Sequence, residues 1–535
     1  MRTGRRLWPG VAPVEPHTIE SGGSNRMKVA DEEAPAVPVA AIRKSSLDKD
    51  LRKIERLEEA TRSVWPSRFA VGAALLFLAT AGVLANSQIG GGQNGLLMIV
   101  AAIIGGYMAL TIGANDVANN VSPAVGARAL TMVGALILAA IFECAGALIA
   151  GSDVVMTIAQ DIVAPELVPS ADVFLWIMMS ALLASAIWVH LATFLGAPVS
   201  TTHAIVGAVL GAGVAAVGVS VVDWLVISSI IISWVISPLI GGTVAALFLA
   251  FIKVKLIYRD DKIAAARTWV PVLVALMAAT FSAYLVLKGL KNLWRPDLQV
   301  VAAISAVIFA CAYTASRSWV QIQSAGMENR NQSLRKLFHL PLICSAALLS
   351  FAHGSNDVAN AVGPLAAILD TAQSGAWASE VGVPFWVMLI GGAGISLGLF
   401  LFGPRIVRVV GEQITKMNPM RAFCVALSAA LTVLGASQLG LPVSTTHITV
   451  GAVFGVGFFR EYYTTNSTRR RHYILTHKRH SPSLRVSNDQ EEISRRKLVR
   501  RSHFISILAA WAITVPAAAG LAALIFFIAQ WVGWT

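Results

Sequence analysis

Two carboxylates stand inside long apolar runs of this chain. Asp116 falls within Gly113-Ala-Asn-Asp-Val-Ala-Asn-Asn-Val121, and Asp357 within Gly354-Ser-Asn-Asp-Val-Ala-Asn-Ala-Val362. A carboxylate at membrane depth costs at least about 2.5–3.5 kcal/mol, so it belongs in a protein-lined cavity and is functional by default. Each Asp has an Asn just before it, Asn115 and Asn356, and another at i+3, Asn119 and Asn360, on the same helical face. A carboxylate with amide oxygens offers hard ligands for Na+ or another hard cation; if the ion is sodium, Asp116 and Asp357 are its metal ligands. The carboxylate alone can instead carry a proton. Glu143 is a third acid in an apolar run, with no matching acid in the second half; it can bind a cation or pair with a neighbour.

Pro-Val-Ser-Thr-Thr-His occurs twice, at 198–203 and 442–447, and each copy runs into an apolar stretch containing Val-Gly-Ala-Val. Proline favours a helix start, and Ser200, Thr201, Thr202, Ser444, Thr445 and Thr446 follow as natural caps. The helix then begins with free N–H groups and a positive dipole end facing the hydroxyls, which makes an anion site with no fixed positive charge. In membrane helices Ser, Thr and Asn also serve simply to bond neighbouring helices. A matched pair of motifs with a carboxylate in each favours the ion site. His203, His353 and His447 read more simply as structural hydrogen-bonders than as ligands or proton carriers.

The elements that position these residues come in two copies. The Asn-Asp motifs match at seven of nine positions with an offset of 241, and the Pro-Val-Ser-Thr-Thr-His copies repeat at an offset of 244. Common order and spacing mark an internal duplication. Duplicated halves, often of inverted topology with a site between them near the midplane, are the build of secondary transporters.

The scaffold is apolar: 56% of the 535 residues are hydrophobic and 13% charged, against about 25% charged in soluble domains. Runs of about 20 apolar residues cross a bilayer core. Such runs fall near 69–86, 96–113, 128–150, 172–195, 223–252, 269–287, 298–315, 338–352, 383–403, 420–437 and 503–533, with shorter ones at 203–219 and 447–459. The fold expected is an all-α polytopic membrane protein of about 12–13 crossings, two repeats read as inverted, and broken helices at the midplane. Pro238 should kink the fifth run. The division is 1–67 a polar extension, with an amphipathic helix over 41–62; 68–95 an extra leading span and outer loop; 96–255 the first repeat; 256–337 connecting spans; 338–459 the second repeat; 460–502 a basic loop; 503–535 the last span.

The net charge of +13 is local. From Arg460 to Arg501 there are twelve Lys/Arg against four Asp/Glu. Basic loops beside spans stay in the cytoplasm, which puts the N-terminus inside and the C-terminus in the periplasm. The Lys288–Arg295 loop falls outside and breaks the rule. No nucleic-acid module accompanies the charge. The four cysteines show no CxxC or metal spacing.

As a set these motifs resemble the inorganic phosphate transporter (PiT) family, which includes bacterial low-affinity phosphate permeases and the sodium–phosphate symporters of animals. The likeness rests on Gly113–Asn119, Phe351–Pro364, both Pro-Val-Ser-Thr-Thr-His copies, Ser233–Pro238 and Trp511–Pro516, and it covers about 96–533. Ser355 departs from the usual Ala. The resemblance implies symport of inorganic phosphate, with arsenate by mimicry, coupled to H+ or Na+. It places phosphate at the two Ser-Thr-Thr segments and the paired Asn-Asp motifs, with cations close by. Phosphate is assigned to Ser200, Thr201, Thr202, Ser444, Thr445, Thr446, Asn115 and Asn356; the coupling cation to Asp116, Asn119, Asp357, Asn360 and Glu143.

The expected partners are phosphate, the coupling cation and the lipid bilayer of a bacterial inner membrane, with no nucleic acid. A homodimer stays open. No cofactor is expected, and no GxxxxGK[ST] sequence is present for ATP hydrolysis. A sulfate or other oxyanion permease is the alternative on the same scaffold. An intramembrane enzyme built on the two Asp as a dyad lacks a flanking nucleophile.

Overall fold

Apolar runs this long fold as helices because a backbone in lipid must satisfy its own polar groups. The computed structural model describes residues 67–89, 94–289, 294, 296–375, 382–413, 417–477 and 501–533. The amphipathic helix expected over 41–62, and residues 478–500 of the basic loop, lie outside these residues. Regular structure among the described residues is helical, apart from one bridge between Val163 and Val222.

The leading helix is α1 (Ser67–Ile89), followed by α2 (Gly95–Gly126), α3 (Met132–Ala150) and the short α4 (Ser152–Met156) with a π-turn at Thr157–Asp161. Then come α5 (Ala171–Leu195), α6 (Thr201–Val217), α7 (Trp224–Ile252), α8 (Lys262–Tyr284) and α9 (Leu298–Gln323). The second half holds α10 (Asn331–Leu337), α11 (His339–Asp357), α12 (Ala359–Ser374), α13 (Phe385–Gln413), α14 (Pro419–Gln438), α15 (Thr445–Asn466), α16 (Thr468–His477) and α17 (Arg501–Trp531). Side-chain caps set several starts: Thr131 accepts from the Gly134 N–H, Ser170 from Val173, Asp223 from Leu225 and Val226, and Asn418 from Arg421.

Ten of these helices are long and apolar enough to cross a membrane, or eleven counting the bent pair Asn331–Leu337 and His339–Ser374. The count falls below the expected 12–13 because the two shorter runs, α6 and α15, are not among them; each pairs with the helix before it in a hairpin. Ala164 N–H donates to Val221 and Asp223 N–H to Ile162, so the segment entering α5 lies beside the segment leaving α6. That hairpin goes in and returns to one face. The second hairpin, α14 and α15, opens to the other face. Its outer end meets the turn after α7, where Lys253 Nζ lies 4.2 Å from the Tyr463 ring centre, and α7 runs from the Val222 face to the Lys253 face. The two hairpins therefore enter from opposite sides, which is the inverted arrangement.

The chain breaks at the Pro-Val-Ser-Thr-Thr-His segments, where a new helix start is expected, and not at the Asn-Asp segments. The α2 helix runs through 113–121 without interruption, and Val358, between α11 and α12, keeps helical angles of φ −58° and ψ −31°. Pro238 likewise lies inside the unbroken α7. The helical breaks are at the hairpin tips, where backbone groups find partners inside the protein.

The halves are interleaved. In each, the Asn-Asp helix packs on the other half's next long helix: α2 on α13, and α11 on α3. Both contacts are backbone to backbone. A Cβ on Gly113 would run into the Ile395 carbonyl, and one on Gly354 into the Glu143 carbonyl. Outward faces of α1 and α7 leave Leu76, Val83, Leu239 and Leu247 exposed, as lipid contact requires. Lys288 forms an ion pair with Asp153, so the basic loop that broke the charge rule has its first lysine neutralised.

Candidate ion-binding site

The site forms where both hairpin tips meet the two Asn-Asp helices. At the first tip, Gly196 ends α5 with φ +73°, a left-handed turn that favours glycine. The chain then runs extended to Ser200 (φ −86°, ψ 117°), whose Oγ accepts from the His203 N–H at 3.1 Å and starts α6. The second tip repeats this: Ser444 (φ −88°, ψ 109°) accepts from the His447 N–H at 3.3 Å. As caps, both serines keep their O–H free to donate.

Asn115 and Asn356 hold the tips. Asn115 Nδ2 donates to Thr193 Oγ1 (2.9 Å) and the Ala197 carbonyl (3.3 Å), and its Oδ1 accepts from the Val199 N–H (3.3 Å). Asn356 Nδ2 donates to Ser437 Oγ (3.0 Å) and the Leu441 carbonyl (3.2 Å). With both amide hydrogens of each engaged, these two shape the tips in this conformation.

The remaining assigned residues converge. Asp116 accepts from Thr201 Oγ1 at 2.8 Å, from Thr446 Oγ1 of the opposite hairpin at 3.0 Å and from Asn119 Nδ2 at 3.3 Å. Asp357 accepts from Thr445 Oγ1 at 2.9 Å. Asn119 also donates to Thr446 (2.8 Å), and Asn360 to Thr201 and Thr202 (3.3 Å each). Asp116 and Asp357 are each 1% exposed, in effect sealed from solvent.

His353, read from the sequence as structural, lies at the centre. Its Nε2 is 3.0 Å from Asp357 and 4.0 Å from Asp116, and its Nδ1 is 3.3 Å from Glu143. Asn120, which the sequence alone did not single out, donates to Glu143 at 2.6 Å. The repeat itself held the signal. Gly113 on Ile395 mirrors Gly354 on Glu143, so Ile395 stands where Glu143 does. By the same offset Ile112 mirrors His353, and Ala361 mirrors Asn120. The polar triplet thus faces an apolar mirror image, and departures from the repeat pick it out.

Chemically, three buried carboxyl groups share one imidazole. Buried charge that is not offset is expensive. Ligand atoms of Asp116, His353 and Asp357 all lie within 4.8 Å of one another, so one cation can bridge them and balance the site. The N-terminal ends of α6 and α15 face the same spot with their hydroxyls and suit an oxyanion beside it. Thr201→Val and Thr445→Val each remove a hydrogen bond to a carboxylate, worth about 1.5–3 kcal/mol. A rise of roughly tenfold or more in the cation concentration giving half-maximal uptake is expected from each; an unchanged value would count against this geometry.

The profile of the Phosphate transporter family matches residues 112–522. A provisionally named phosphate permease of Helicobacter pylori (strain J99) is 50% identical over 424 residues, covering 79% of this chain and 80% of that protein. Another, from Chlamydia trachomatis, is 36% identical, covering 81% and 98%. A solved structure described as the sodium-dependent phosphate transporter superposes with a TM-score of 0.70 at 33% identity, covering 82% of this chain and 100% of that one.

Proposed function

The chain belongs to the phosphate transporter family, and on that premise we propose that it imports inorganic phosphate by symport with Na+ or H+ through alternating access of its two interleaved halves. The observation that carries this reading is Asp116, a buried carboxylate that takes a hydroxyl from each hairpin, Thr201 from the first and Thr446 from the second. A cation bound there draws both hairpin tips to one point, and the anion site lies at the same helix starts. Binding of each ion lowers the cost of burying the other.

Coupling follows from the membrane potential, which opposes an entering anion by about 2.3 kcal/mol per charge per 100 mV. A monoanion moving with two cations is pulled inward. Sodium is favoured by the hard-oxygen surroundings of Asp116 and Asp357 and by the likeness to a sodium-dependent phosphate transporter. Arsenate, of the same shape and charge, enters by mimicry, and nothing beyond the coupling ion is needed as a cofactor. The face carrying Lys253 and Arg460 is assigned to the cytoplasm of a bacterial inner membrane. That orientation puts the N-terminus inside and the C-terminus in the periplasm.

Uptake of ³²P-phosphate into proteoliposomes tests the reading. A Na+ gradient imposed at constant pH is expected to drive accumulation. Accumulation under a pH gradient alone would transfer the coupling to H+, and none under either gradient would sink the symport reading.

A further inference from the structure

The two hairpin tips are built alike but fastened differently. At the second tip, Trp234 Nε1 on α7 donates to the Pro442 carbonyl at 3.1 Å, and Thr157 Oγ1 in the turn after α4 donates to the Gly440 carbonyl at 2.9 Å. The first tip has matching parts. Pro198 corresponds to Pro442. Trp511 on α17 corresponds to Trp234: its ring lies 3.5 Å from that of His447, as Trp234 lies 3.8 Å from His203. Gly207 packs on the Val515 backbone just as Gly451 packs on that of Pro238. Yet Trp511 Nε1 is buried without an acceptor among the described residues.

The same imbalance reaches the ions. Thr446 of the second tip donates across to Asp116, whereas its counterpart Thr202 donates to the Val443 carbonyl at 3.0 Å. Asp357 Oδ1, the atom Thr202 would serve by symmetry, has no hydrogen-bond partner among the described residues. In a protein of inverted repeats the two end states arise when the halves exchange conformations. A bond made in one half and missing from the other therefore marks what the exchange transfers.

We propose that Trp234 and Trp511 are positioning residues that clasp the two hairpin tips in turn. In the conformation described, Trp234 and Thr157 fasten the second tip. In the opposite one, Trp511 Nε1 donates to the Pro198 carbonyl, Trp234 releases Pro442, and Thr202 turns to Asp357. The orphan indole is the donor held ready for that state. This inference rests on the alternating-access reading.

Trp234→Phe and Trp511→Phe keep an aromatic ring and remove only the donor. Each is placed in the full-length protein with a reporter, Leu441→Cys, which lies half-exposed at the second tip. Labelling by a membrane-impermeant maleimide is followed in vesicles and corrected with the reporter-free parent. Trp234→Phe is expected to speed labelling several-fold, and Thr157→Val, which cuts the other fastening, to do the same. Trp511→Phe is expected to leave labelling at or below the parent rate. Equal responses from the two Trp variants, or acceleration by Trp511→Phe alone, would overturn the clasp. Phosphate uptake is measured in the same vesicles. If the parent takes up phosphate and the labelling does not diverge, the clasp fails and transport stands. If the parent takes up none, the underlying reading fails with it.

Discussion

Asp116→Asn is expected to cut coupled phosphate uptake by about 100-fold, the equivalent of about 3 kcal/mol. The amide has the shape of the carboxylate but presents an NH2 to three donors, Thr201, Thr446 and Asn119. The group facing the new NH2 can no longer donate to it: a threonine hydroxyl there must turn round and accept, and Asn119 Nδ2 cannot accept at all, and a buried donor left unmet costs about 1–3 kcal/mol. The charge that balances a cation is lost as well. Asp357→Asn is expected to be milder for the hydroxyl network, since Asp357 takes a hydroxyl from one hairpin only, Thr445. Initial uptake rates against cation concentration check both. An Asp116→Asn protein that accumulates phosphate at the parental rate would remove this residue from the site.

Gly354→Val has the second large effect, on folding rather than transport. The Gly354 Cα lies against the Glu143 backbone, so the new side chain must part α11 from α3. Overpacking of this kind costs about 1–3 kcal/mol where side chains can yield; here the obstacle is backbone and the loss is expected to be larger. The variant should fail to accumulate as a monodisperse species on size-exclusion chromatography. Gly72→Ala is the control: nothing lies within 4 Å of its missing Cβ, and an alanine inside a helix is expected to be neutral or slightly stabilising. A stable, monodisperse Gly354→Val protein would show that α11 and α3 are not locked together.

Much of this was legible in the sequence, because hydropathy fixes where a chain crosses lipid and a duplication fixes which residues correspond. The span expected at 172–195 is α5, and the short run at 203–219 is α6, displaced by two residues. Asp116, Thr201 and Thr446 stand out from their types alone, and the structure joins them. The end of the helix that carries the first polar motif was not legible: the apolar run expected at 96–113 stops at the motif, whereas α2 continues through it to Gly126. Nor was it visible that Asn115 and Asn356 turn toward the tips, since neighbouring positions on a helix face different ways and only packing shows which way is inward. His353 escaped because a lone histidine carries little information until Glu143 and both aspartates are seen around it.

The division of hydrogen bonds between the halves has a consequence for synthesis. Each half satisfies most of its own hairpin: Asn115 and Asp116 meet the first tip, and Asn356 and Asp357 meet the second. The first polar tip can therefore be sheltered from lipid while the ribosome is still making the second half, because its partners were translated before it. Among the bonds that need both halves are those from Thr446 to Asp116, from Asn119 to Thr446, from Asn360 to Thr201 and Thr202, and from Thr202 to Val443, together with the contacts of His353 with Glu143 and Asp116. Those are the bonds that complete the ion pocket. A nascent chain thus carries two closed hairpins before it has a pocket, and it acquires the ability to hold its ions only at the last stage of assembly.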